Sequence, residues 1–122
     1  MTKHTILVVE DNPDSRQLAC WILEDAGFIV VSAESGEEAL EKITCHTISL
    51  ILMDISLPKM DGKATTQTIR TMERFKHLPI LALTAHAMQE EKNSIMACGV
   101  TNVLTKPIDE DTLLNCVKNL LM

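Results

Sequence analysis

Short, strand-sized apolar runs alternate with amphipathic helical stretches along the whole chain, and no other feature restricts its fold so strongly. Thr5, Ile6, Leu7, Val8 and Val9 form an unbroken, largely β-branched run, the pattern of a strand covered on both faces. Asn12, Pro13 and Asp14 follow it with a cap, a first-turn proline and an early acid, which together start a helix. That helix is expected to turn Leu18, Ala19, Ile22, Leu23 and Ala26 inward and to stop at Gly27.

The unit then recurs. Residues 28–31 read as a second strand, and Ser35, Gly36, Glu37 and Glu38 open a helix with Ala39, Leu40 and Ile43 inward. Residues 50–53 form a third strand, and a loop with Pro58 and Gly62 leads into a helix through Ile69 and Met72. Residues 79–83 are a fourth strand, followed by a helix over 88–98 that Gly99 ends. Residues 101–105 are a fifth strand, and the last helix puts Leu113, Leu114, Val117, Leu120 and Leu121 on one face. Five βα units without hairpin signals predict an α/β fold, doubly wound, with a parallel sheet covered by helices on both faces. The 122 residues fit one domain over 1–122.

Composition narrows the class. Hydrophobic residues at 46% and charged residues at 23% suit a folded soluble domain and not a disordered segment. A net charge of -6, with no basic stripe, disfavours direct nucleic-acid binding. No apolar run approaches the roughly 20 residues that span a bilayer, so no membrane association is expected. Cys20, Cys45, Cys98 and Cys116 are scattered, without CxxC pairs, and read as reduced, mostly packed residues of a cytoplasmic protein.

In an open α/β sheet, ligands bind beyond the carboxyl ends of the strands. Glu10 and Asp11 follow the first strand, Asp54 the third, Thr84 the fourth, and Thr105 and Lys106 the fifth. Three carboxylates gathered at one place repel one another unless one takes a proton or a cation joins them. Mg²⁺ suits such a set, because it takes oxygen ligands and often a phosphate. With Lys106, the group would stabilise a phosphoryl group arriving on an oxygen of Asp54. Each residue has a plainer reading when taken alone. Glu10 and Asp11 also fit acid near a helix N-terminus. Thr84 also fits a hydroxyl bonding its own backbone, and Lys106 with Pro107 a solvated turn. Their convergence on one edge of the sheet favours the common site.

These residues carry a resemblance. Val8-Val9-Glu10-Asp11-Asn12, the run from Leu52 through Asp54 to Pro58 and Gly62, Ala82-Leu83-Thr84-Ala85 and Leu104-Thr105-Lys106-Pro107 resemble the receiver domain of two-component response regulators, in order and over the whole chain. The resemblance implies a flavodoxin-like sheet of order 2-1-3-4-5. It implies that Asp54 is the phosphoacceptor, taking its phosphoryl group from a phosphohistidine of a sensor histidine kinase or histidine phosphotransfer protein. It also implies that Glu10, Asp11, Asp54 and the main-chain carbonyl of Ser56 hold Mg²⁺, and that Thr84 and Lys106 bind the phosphoryl group. The Lys106-Pro107 bond is often cis in such domains. Ser56 and His86 stand where residues tune the lifetime of the phosphoaspartate, although a solvated loop serine and histidine fit equally well. Val103 departs from the pattern, because the family usually has an aromatic residue there, and its role with Pro107 in coupling the site to the output face is open.

Trp21 falls off the inward stripe of the first helix, either as a partner anchor or as an ordinary exposed aromatic. Met88 and Met96 read as packing residues. Three rival functions remain in view. An aspartate-nucleophile phosphohydrolase wants a second aspartate where Ser56 stands. A mononucleotide binder wants a Gly-rich loop where Glu10 and Asp11 stand. An unphosphorylated receiver-like scaffold has no need of the intact acidic set.

Overall fold

The β-branched runs lie side by side as parallel strands, and the stretches between them form the helices that cover them. The computed structural model describes residues 3–55, 61–85 and 88–121. In chain order these form β1 (Thr5–Val9), α1 (Pro13–Asp25), β2 (Ile29–Ala33), α2 (Gly36–Cys45), β3 (Leu50–Asp54) and α3 (Gly62–Arg70). A short 3-10 turn (Glu73–Phe75) precedes β4 (Ile80–Thr84), α4 (Gln89–Ala97), β5 (Asn102–Thr105) and α5 (Glu110–Leu121). The sheet order is β2-β1-β3-β4-β5, all parallel, as the sequence and its resemblance led us to expect.

Side chains alternate across the sheet with a period of two. Leu7, Val9, Ile51, Met53, Ile80 and Ala82 pack with Ala39, Ile43, Ile69 and Ile95 from α2, α3 and α4. Ile6, Val8, Leu50, Leu52, Leu81 and Leu83 pack with Ala19, Ile22, Leu23, Leu113 and Val117 from α1 and α5. The central strands β1, β3 and β4 are therefore buried almost throughout, while the edge strands β2 and β5 are partly open. Among the described residues no helix is long and apolar enough to cross a membrane.

The helix signals hold. Asn12 and Ser35 cap α1 and α2, each accepting from the backbone N–H three residues on. Gly27 and Gly99, at φ 98 and 113, take the left-handed turn after α1 and α4 that a side chain would resist.

Several boundaries move. β2 starts at Ile29, because the Phe28 N–H closes α1 by bonding Leu23 O, and it runs to Ala33 because Val9 still pairs there. Asp54 and Thr84 are the last residues of their strands, since the ladder reaches Leu83 and Thr105 opposite them. β5 begins at Asn102, as the Thr101 hydroxyl accepts from Ile80 N. Leu18 and Ala26 are exposed, contrary to the inward face expected for them. Ala19, Ile22 and Leu23 fill that face, leaving Leu18 on its flank and Ala26 beyond the last helical residue. Met88 and Met96 are also exposed; α4 buries Ile95 instead.

Candidate functional site

Strand register assembles the site. Val9 pairs with Met53, so Glu10 and Asp54, each one step further, stand next to each other at the carboxyl edge of the sheet. Asp54 pairs with Leu83 and Thr84 with Thr105, which brings the fourth and fifth strand ends to the same edge. Glu10, Asp54 and Thr84 are buried, and Asp11 is exposed at the rim. One carboxylate oxygen from each of Glu10, Asp11 and Asp54 lies within 4.8 Å of the others.

Lys106 closes this cluster. Its Nζ donates to Glu10 Oε1 at 2.8 Å and lies 3.4 Å from Asp54 Oδ1. The other Glu10 oxygen, Oε2, accepts from Asn12 N at 3.5 Å. Burial, followed by the hydrogen bond and charge of Asp54, pushes the Glu10 carboxyl up to about 7, and Lys106 only partly opposes this. Burial works against the Lys106 charge as well, but the bond to Glu10 and the two carboxylate charges outweigh it and raise its pKa. One ammonium among three carboxylates is too little positive charge for this edge. A hard divalent cation that binds oxygen fits the donor set and removes the conflict.

The surrounding backbone is fixed by residues to which the motif reading gives no role. Arg16, on α1, donates through Nη1 to the carbonyls of Glu10 and Asp11. Gly62 N donates to Ile55 O, and a Cβ at Gly62 would collide with the Asp54 carbonyl oxygen. This close approach makes Gly62 part of the site's architecture. Asp61 caps α3 by accepting from Ala64 N at 2.7 Å. Neither the Arg16 contacts nor the Gly62 approach carries a local sequence signal, because the partners are main-chain atoms of another segment.

Among the remaining expected residues, Val103 is half-buried on β5 opposite Ala82 and packs against the α2–α4 side of the core. Pro107 follows Lys106 through a cis peptide bond. Ser56 and His86 lie outside the described residues. Trp21 is 62% exposed, and together with Leu18, Ile22 and Ile108 it lines a groove of about 610 Å³ between α1 and the start of α5. Glu24, Asp25 and Glu110 rim that groove.

Comparison with known proteins shows the family of the chain. Residues 6–118 match the model of the response regulator receiver domain. The chain is 42% identical over 115 residues to the sensor histidine kinase GacS of Pseudomonas protegens, covering 92% of this chain and 12% of that protein. The chain thus spans only a small part of that kinase. It is 34% identical to the polar-differentiation response regulator DivK of Brucella ovis, over 99% of this chain and 98% of that one. Among solved structures, the receiver domain of the sensor histidine kinase PA1611 from Pseudomonas aeruginosa superposes with a TM-score of 0.91. It is 31% identical, with 98% of each chain covered, and carries a magnesium ion coordinated in its active site cleft.

Proposed function

The chain belongs to the response regulator receiver domain family, and on that premise we propose that Asp54 is the phosphoacceptor of a two-component phosphorelay. A carboxylate oxygen of Asp54 attacks the phosphorus of a phosphohistidine; the O–P bond forms as the N–P bond breaks, and the imidazole leaves with the electron pair of that bond. The donor is a sensor histidine kinase or a histidine phosphotransfer protein. Glu10, Asp11 and Asp54, with the main-chain carbonyl of Ser56, would hold Mg²⁺, which supplies charge neutralisation for the phosphoryl oxygens when bound.

The remaining residues act on the product. Phosphorylation places a dianionic group with strong acceptor oxygens beside Lys106, which now contacts Asp54, and beside the strand end that carries Thr84. Both side chains then gain a partner present only in the modified state, and that difference drives the switch. Val103 and Pro107, flanking the Thr105-Lys106 strand end, carry the change toward the output face. Ser56 and His86 set how long the phosphoaspartate lasts. Beyond its own phosphorylation and dephosphorylation the domain performs no turnover, and it acts by docking proteins, not nucleic acid. A cytoplasmic setting agrees with the unpaired state of Cys20, Cys45, Cys98 and Cys116. The groove at Trp21 and Leu18 is where we place the incoming partner, because an exposed aromatic beside an exposed leucine gives a docking anchor.

The observation that carries this reading is the meeting of the Glu10, Asp11 and Asp54 carboxylates within 4.8 Å. Incubation with acetyl phosphate tests it. Uptake of one phosphoryl group that requires Mg²⁺ and is released by hydroxylamine supports an acyl phosphate on this cluster; uptake indifferent to Mg²⁺ contradicts it.

A further inference from the structure

The Glu10-Asp11 pair is carried by a loop, so its side chains are only as well placed as the main chain beneath them. Glu10 N is tied to Ala33 O at 3.0 Å. The two carbonyls of the pair are held from below by a single side chain. Arg16 Nη1 donates to Glu10 O at 3.0 Å and to Asp11 O at 3.4 Å. Its Nη2 is itself seated by Glu34 Oε1 at 3.1 Å, on the turn between β2 and α2. The Arg16 side chain is 18% exposed, whereas that of Glu34 is 69% exposed. The β2–α2 turn is in turn fixed by Glu34 N donating to Glu38 Oε1 at 2.7 Å and Glu38 N to Ser35 Oγ at 3.1 Å. The brace therefore runs from a capped helix start, through Glu34 and the planar fork of Arg16, to the backbone of both acids.

We propose that Arg16, seated by Glu34, is a positioning residue for the Mg²⁺ pocket. It fixes the main chain of Glu10 and Asp11 so that their carboxylates meet that of Asp54. The inference rests on the metal reading above. A guanidinium suits the task because its N–H groups point along fixed directions and reach two carbonyls and a carboxylate at once, while an ammonium is a point charge on a flexible stem.

The proposal has a sign that simple electrostatics lacks. Arg16 is positively charged and close to a cation site, so deleting the charge alone would tighten Mg²⁺ binding. Loss of positioning loosens it. The test is a titration of the full chain and of Arg16→Met and Arg16→Lys with magnesium chloride alone, followed by the amide chemical shifts of Asp11 and Asp54. Arg16→Met is expected to weaken Mg²⁺ by about tenfold or more, the usual effect of removing an outer-shell support. Arg16→Lys, which keeps the charge but not the planar fork, is expected to fall between the two. Binding as tight as the parent in both variants, or tighter in Arg16→Met, overturns the proposal. If the parent itself shows no Mg²⁺-dependent shift at Asp11 and Asp54, the metal reading fails, and the role of Arg16 falls with it.

Discussion

Across 96 residues of sequence, Lys106 Nζ donates to Glu10 Oε1 over 2.8 Å. This bond joins the ends of β1 and β5 over the buried Asp54, and it is the main positive contact of the acidic edge. Lys106→Met withdraws the ammonium from Glu10 and Asp54 together. Stability at pH 8 in EDTA is expected to fall by about 1–3 kcal/mol, toward the low end because the lysine is partly exposed. Urea unfolding checks this, and the loss should be smaller at pH 5, where Glu10 is protonated.

The pH dependence has a definite sign. Glu10 has a folded pKa of about 7 against an ordinary value of 4.5, so the folded state holds its proton more tightly than the unfolded chain does. Its contribution to stability is fully present below pH 4.5 and is lost as pH rises through about 7. In EDTA, the parent should therefore lose stability relative to Glu10→Gln across that window. Saturating Mg²⁺ should reduce the loss by favouring the carboxylate. Denaturation series at several pH values, with and without Mg²⁺, measure both effects.

Gly62 is fixed by the backbone of Asp54 and Ile55. Gly62→Ala would set a methyl group against the Asp54 carbonyl oxygen and Ile55 Cα, so main chain must shift. Overpacking of this kind is expected to cost about 1–3 kcal/mol, read by thermal or urea unfolding. Because the displaced atoms belong to Asp54, the initial rate of labelling by acetyl phosphate should fall as well.

The proposed part of Val103 in transmitting the switch is tested through its side chain. Its β-branched side chain has little rotameric range, and it is half-buried against the core. Beryllofluoride, a phosphoryl mimic, added with Mg²⁺ is expected to shift the amides of Thr84 and Lys106 strongly while Val103 keeps its χ1 rotamer. Three-bond couplings to the Val103 methyl groups report this. A rotamer change accompanied by a large gain in partner affinity would contradict it.

The strands were legible because β-branched runs such as Ile6 to Val9 have few other uses, and the acidic cluster was legible because Asp54 directly follows an apolar run. Register then brought Glu10 beside Asp54 without further information. Leu18 reads as inward because a helical stripe continues through it, although Ala19, Ile22 and Leu23 are the residues that α1 buries. Met88 and Met96 were misread because hydropathy alone does not say which face of α4 meets the core, and Ile95 takes that place. Arg16 and Gly62 were illegible for a different reason. Each acts on main-chain atoms beyond its own element, and main-chain atoms look the same at every position of a sequence.

The central claim, that Asp54 receives the phosphoryl group, is tested most directly by intact-mass and peptide mapping after acetyl phosphate treatment in Mg²⁺, with Asp54→Asn alongside. The expected result is a single phosphoryl addition in the parent that maps to the peptide containing Asp54 and is absent from the variant. Addition retained by Asp54→Asn, or mapped to a peptide without residue 54, would contradict the account.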